Sequence, residues 1–139
     1  MYNRLKVRPG KSTLFGMIGN TPFFGLPGPP PAVRILFHEL VVPGLNRLQG
    51  LREDNTDSSR LVDAILAEPM SIRQTGHLGL KGAVAELSDG QVQIRPARQL
   101  EPINAIMHLK AGERGTNERE QLNTNHRVKA RLIFPLNAL

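Results

Sequence analysis

Polar and apolar positions alternate at the start of the chain, where Arg4, Lys6 and Arg8 flank Leu5 and Val7. A period of two predicts a short strand over Leu5–Val7, turned by Pro9-Gly10. Thr13–Ile18 is a second strand candidate, and Gly19-Asn20 leads into a third, Thr21–Phe24, rich in β-forming residues. Gly25-Leu26-Pro27-Gly28 must close that strand, because strand interiors do not keep such residues. From Val33 the period lengthens. Val33, Leu36, Phe37 and Leu40 form an apolar stripe, and Arg34, His38 and Glu39 occupy the other face. This spacing predicts a helix with Pro29–Pro31 at its mouth, where missing amide protons cost least. Pro43-Gly44 interrupts it after Val42, and Leu45 and Leu48 carry the apolar face on to a cap at Gly50, so the helix is expected to be kinked or in two parts.

Arg52–Arg60 is polar and aperiodic and reads as a linker. Beyond it the pattern is that of short strands: Leu61–Ala67 ended by Pro69, Ser71–Thr75 closed by Gly76, and Leu78–Leu87 paired with Gln91–Ala97 across a three-residue Ser88-Asp89-Gly90 loop. Pro102–Lys110 places Ile103, Ile106, Met107 and Lys110 at helical spacing and predicts a two-turn helix. Ala111–Asn125 reads as a loop, and His126–Phe134 as a last strand. Five short strands and a small helix fit a compact β-barrel or sandwich.

Length and composition narrow the picture. A chain of 139 residues buries one modest core or one small domain plus a piece of another, and 40% apolar with 22% charged residues is a globular balance. With no cysteine there are no disulfides, thiolate metal sites or cysteine nucleophiles, and the cytoplasm is the expected compartment. No signal-peptide pattern or membrane-spanning apolar run is present. The net charge of +6 favours anionic ligands. The charge is dispersed, however, with Arg4, Lys6, Arg8 and Lys11 as the one dense basic group and no interleaved aromatics, so nucleic acid is not the expected partner.

Most familiar catalytic patterns fail at a named residue. Gly10-Lys11-Ser12 matches the end of a phosphate-binding P-loop, but Leu5 stands where that motif needs glycine. His38-Glu39 opens like a zinc-protease helix, but Val42 stands where the second histidine belongs. His77, His108 and His126 lack ligand-like spacing, so no metal site is expected, and Gly-x-Ser-x-Gly is absent. The Gly25–Gly28 loop at a helix start reads in two ways. One is an anion-accepting turn in which Gly28, Ala32 and Val33 supply the amides that the prolines lack; the other is an inert turn needing glycine for backbone freedom and proline for rigidity.

Several stretches then resemble a known family in order and spacing: Pro9-Gly10-Lys11, Phe24-Gly25-Leu26-Pro27-Gly28-x-Pro30, Phe37-His38-Glu39-Leu40-Val41-Val42-Pro43 and Leu48-Gln49-Gly50. They are similar to the end of the molybdopterin-binding domain of molybdenum-insertion enzymes, the MoeA and gephyrin E-domain family. Gly79-Leu80-Lys81-Gly82 resembles that family's aromatic-x-Arg-Gly strand, and Val128–Leu139 its closing strand. The implied fold class is α/β + β, with residues 1–52 as the C-terminal part of a molybdopterin-binding α/β domain, 53–60 as linker and 61–139 as a small β-barrel. The implied function is insertion of molybdate into adenylylated molybdopterin with Mg²⁺, in a cytoplasmic homodimer. The implied substrate-binding residues are Pro27, Gly28 and Pro30 in the pocket-shaping loop, Pro9, Gly10 and Lys11 in a neighbouring phosphate-facing turn, and Lys81. Pro29 stands where the family loop carries asparagine, and Lys81 where it carries arginine. The front half of the family domain, and the two domains before it, have no counterpart here. The chain is therefore expected to work within a larger or split enzyme and to be inactive alone; the alternatives are a non-catalytic molybdopterin-binding or scaffolding module, or a relative of the CinA group, in which a Leu-Pro-Gly-Pro-Pro loop also occurs.

Overall fold

The computed structural model describes residues 2–3, 5–51, 61–110, 118–134 and 136. Its centre is a closed barrel of β5 (Leu61–Leu66), β7 (Leu78–Ser88), β8 (Gln91–Pro96), β9 (Ala105–Lys110) and β11 (Arg127–Leu132). The strands run in the order β7-β8-β5-β11-β9, and β9 pairs back onto β7. All these pairings are antiparallel except β5 with β8. A five-stranded barrel has a narrow interior, and this one is filled accordingly by Ala64, Ala83, Ala85, Ala105 and Ala130, with Leu66, Ile94 and Met107 among them. The β7–β8 hairpin is tighter than its sequence suggests. Ser88 pairs with Gln91, so the loop is the two residues Asp89 and Gly90, both with positive φ as a type I′ turn requires.

Two expectations for the barrel are overturned. Pro102–Lys110 contains no helix: Ala105–Lys110 is β9, held between β7 and β11. Ala105, Met107 and Leu109 face the barrel core, while Ile106 joins Ile35, Leu80 and Ile133 on the outer surface. A strand buried on both faces shows a continuous apolar run rather than alternation, and such a run can imitate helical spacing. The Ala111–Asn125 loop likewise contains a strand, β10 (Arg119–Leu122), antiparallel to β6 (Met70–Arg73), and residues 111–117 lie outside the described residues. The β6–β10 ribbon inserts Met70 and Leu122 into the barrel core.

Residues 2–3 and 5–51 join the barrel through one strand and the first part of the helix. β1 (Tyr2–Asn3), β3 (Leu14–Ile18) and β4 (Thr21–Gly25) form an antiparallel sheet in the order β1-β3-β4. The expected Leu5–Val7 strand appears as β2 (Val7–Arg8), which pairs in parallel with β7 of the barrel. The helix has two parts, α1 (Pro30–Leu36) and α2 (Val42–Leu48), joined by a π-helical turn, Phe37–Val41. There the amide of Val42 donates to the carbonyl of Phe37, an i→i−5 bond that widens the helix just before Pro43. Gly50 and Leu51 close α2 with amides donated to Arg47 and Asn46, a Schellman pattern. The widened turn also shifts which side chains are buried. Ile35 packs on the barrel, Leu36 is fully buried beside Gly10, Phe37 is exposed, and Leu40 lines a cavity with Phe15 and Phe24 of the three-stranded sheet. The polar Arg52–Arg60 stretch lies outside the described residues.

Glu39, placed by periodicity on the polar face, bridges helix and barrel. Its carboxylate lies 2.8 Å from His108 Nε2 of β9 and 3.0 Å from Arg131 Nε of β11. Asn104 performs a similar task within the barrel. Its side chain accepts from the amide of Ala85 at 2.7 Å and donates to the carbonyl of the same residue at 2.8 Å, extending the β9 ladder by one side chain.

Candidate functional site

The Pro9-Gly10-Lys11 turn is fixed from below. Gly10 is buried with φ of 123°, and a Cβ there would stand 2.6 Å from Leu36 Cδ2 of α1, so only glycine fits. The Thr13 amide donates to the Gly10 carbonyl at 3.0 Å, which closes the turn and leaves Lys11 and Ser12 exposed at its tip. On its other side the turn continues into β2, whose Arg8 pairs with Gly79 of β7.

That pairing places Arg8 on a cavity of about 260 Å³ at the barrel rim. Lys81 lines the same cavity. It precedes Ala83 and Ala85 by two and four residues, so it follows the inward register of β7 to the mouth, where the core ends. A third cation comes from β6, where Ser71, Ile72 and Arg73, with Thr75 just beyond, line the cavity. Met70 and Leu109, both core residues, form its apolar floor. Among the described residues no aspartate or glutamate lines this cavity, and none of its three cations forms an ion pair. Two arginines, a lysine and two hydroxyls around a small concave space are a donor set whose chemistry suits a phosphate or another tetrahedral oxyanion. The described residues hold no cluster of three histidines, aspartates or glutamates able to ligate a metal ion.

The proline loop is built differently. Gly28 has φ of 84° and is exposed, and Pro29 caps α1 with Pro30 and Pro31 in its first two positions. The amides of Ala32 and Val33, two of the donors assigned to this loop from the sequence, both donate to the Pro29 carbonyl, at 2.9 and 3.1 Å. With prolines before them, they leave no first-turn amide for an anion. Of the residues singled out in the sequence, Lys81 lines the cationic cavity, while Pro9, Gly10, Lys11, Pro27, Gly28 and Pro30 are not among its lining residues. Sequence reasoning missed Arg73, Ser71 and Thr75, whose only signal is their i, i+2, i+4 spacing, and it counted Arg8 only as part of a basic group.

A larger cavity of about 460 Å³ lies between the three-stranded sheet and the helix, lined by Phe15, Met17, Phe24, Leu40 and Leu48, with Thr13 and Arg47 as polar contributors. It is apolar and has no convergent set of charges. No helix among the described residues is long and apolar enough to cross a membrane.

Over 50 residues, 36% of its length, the chain is 38% identical to the molybdopterin molybdenumtransferase of Haemophilus influenzae. Over that stretch the chain is similar to molybdopterin molybdenumtransferases. Its fold is shared with the molybdopterin biosynthesis MoeA protein of Pyrococcus horikoshii: one solved structure superposes with a TM-score of 0.67 at 21% identity, covering 96% of this chain and 32% of that one. A second superposes with a TM-score of 0.59 at 16% identity, covering 95% and 32%. The chain thus spans about a third of the solved relative's length, and its sequence match spans 12% of the curated one. No family model matches the chain.

Proposed function

We propose that the chain serves molybdenum cofactor biosynthesis as the molybdopterin-handling C-terminal part of a larger or split molybdenumtransferase. The observation that carries this reading is the cavity in which Arg8, from the Arg-Pro-Gly-Lys turn, meets Lys81 of the barrel. Arg8, which directly precedes the family-like Pro9-Gly10-Lys11 turn, and Lys81, in the family-like barrel strand, thus contribute cations to one space. In this reading residues 1–52 belong to the molybdopterin-binding α/β domain and 61–139 to the barrel domain, joined by 53–60, with β2 crossing to the barrel. The substrate is adenylylated molybdopterin, and molybdate enters as the second substrate. Arg8 and Lys81 hold a phosphate or the oxyanion, and Lys11, Pro9 and Gly10 shape the adjoining turn, with Pro27, Gly28 and Pro30 forming a rigid wall.

The cavity's residues do not fit Mg²⁺, because its lining is cationic and offers no carboxylate. No step is therefore routed through that ion, and in our reading its ligands come from outside the described residues. The assembly we propose is a cytoplasmic homodimer or a complex with the polypeptide that supplies the rest of the α/β domain. A second reading, a non-catalytic binding module, is favoured by one feature: the start of α1 has its amides engaged and carries Pro29 where the family loop has asparagine.

The purified 139-residue chain should bind adenylylated molybdopterin but release no AMP from it when molybdate and Mg²⁺ are added. Turnover by the chain alone would overturn its role as a part of a larger enzyme. Failure to bind would overturn the substrate assignment.

A further inference from the structure

We infer that Arg73 is the guanidinium clamp of the rim cavity, a residue that positions the bound oxyanion with Ser71 and Thr75 beside it. This inference rests on reading the cavity as an anion site, and three observations lead to Arg73 in particular.

Its place in β6 is fixed at both ends. Met70 is anchored in the barrel core, and just beyond the strand the Gln74 amide donates to the Glu118 carbonyl at 2.9 Å, while Gln74 Nε2 donates to Glu120 Oε2 at 3.0 Å. The carboxylate in that pair is thereby occupied next to Arg73 without reaching the cavity.

Arg73 also stands directly opposite Arg119 of β10. Like charges at facing positions of an antiparallel pair repel each other and destabilise the ribbon. A ribbon selected for stability alone would place a carboxylate or a neutral side chain at one of the two positions. An anion held between β6 and β7 removes the conflict, because it neutralises Arg73 on the cavity side.

Finally, Arg73 restores a geometry that Lys81 lacks. A lysine offers a point charge, whereas a guanidinium offers two parallel N–H groups matched to two oxygens of a tetrahedral anion. With Arg73 on β6 and Lys81 on β7, the cavity is lined by a guanidinium fork as well as an ammonium.

The test uses the whole chain and three probes, molybdate, inorganic phosphate and AMP, titrated by calorimetry, with adenosine as the uncharged control. Arg73→Gln should weaken binding of the preferred probe roughly ten- to a hundredfold, and Arg73→Lys should recover only part of that loss. Preference for AMP over inorganic phosphate identifies a phosphate monoester as the ligand, and preference for molybdate identifies the free oxyanion. The thermal midpoint of the anion-free protein should stay equal or rise in Arg73→Gln, since the repulsion with Arg119 is gone, while the midpoint increase caused by saturating anion should shrink. Arg119→Gln should raise the anion-free midpoint and keep the affinity. If Arg73→Gln binds like the parent while Arg8→Gln and Lys81→Gln lose affinity, the inference falls and the cavity reading stands. If the parent chain binds none of the three anions, the cavity reading falls and takes the inference with it.

Discussion

Replacing Glu39 tests how the helix is fastened to the barrel. The carboxylate meets His108 and Arg131 with its side chain 8% exposed, and theirs are 15% and 12% exposed. Glu39→Ala removes the shared acceptor and leaves the Arg131 guanidinium largely buried without this partner. Breaking a buried ion pair from one side costs about 3–5 kcal/mol. Here the residual exposure and the further interactions of Arg131 lower the figure, to about 2–3 kcal/mol. Glu39→Gln keeps the shape and one acceptor oxygen, so it should cost about half as much. Urea unfolding, with free energies extrapolated linearly to water, measures both variants against the parent. The order parent, Gln, Ala is expected, with similar slopes in each. If both variants lie within about 0.5 kcal/mol of the parent, the bridge is a surface decoration and the helix is held to the barrel by apolar packing such as that of Ile35.

Asn104→Leu should destabilise by about 2 kcal/mol, since it leaves the amide and carbonyl of Ala85 without their side-chain partner, and the same urea titration reads it. The Arg95–Glu101 pair gives an acid signature. Two hydrogen bonds from the Arg95 guanidinium, followed by the Arg98 amide, hold the Glu101 carboxyl down to about 2 from an ordinary value of 4.5. A carboxylate whose folded pKa is depressed stabilises the fold above its unfolded value and loses that contribution as the pH falls toward the folded one. The thermal midpoint of the parent should therefore drop between pH 4.5 and about 2 more steeply than that of Glu101→Gln, and equal slopes would contradict the assignment.

Much of the barrel is legible from the sequence because its strands obey local rules. Asp89-Gly90 declares the hairpin, Pro69 and Gly76 bracket β6, and Val128 and Ala130 alternate with Lys129 and Arg131 in β11. Strand β9 hides because it is buried on both faces, so its pattern reflects two neighbours at once, the barrel core and the helix. β10 hides because one buried residue, Leu122, in a polar stretch is too little signal. The helix is visible from its period, but the side it buries is not, since the π turn before Pro43 rotates the face between Ile35 and Leu40. The candidate site was legible only in part. Lys81 and the Pro9–Lys11 turn stand out through resemblance, whereas the cavity depends on a parallel pairing of β2 with β7 across some seventy residues, and on Arg73 arriving from a third strand. No local pattern encodes either meeting.

In the proposed function, Arg8 and Lys81 at the barrel rim hold an anionic part of adenylylated molybdopterin. Calorimetric titration of adenylylated molybdopterin into the parent chain, Arg8→Gln, Lys81→Gln and Lys11→Ala, at two salt concentrations, tests this assignment most directly. A roughly tenfold or greater loss of affinity is expected for Arg8→Gln and Lys81→Gln, with a smaller loss for Lys11→Ala, and the loss should shrink as salt rises. Unchanged affinity in Arg8→Gln and Lys81→Gln would contradict the assignment, leaving the likeness to molybdenumtransferases as a statement about fold.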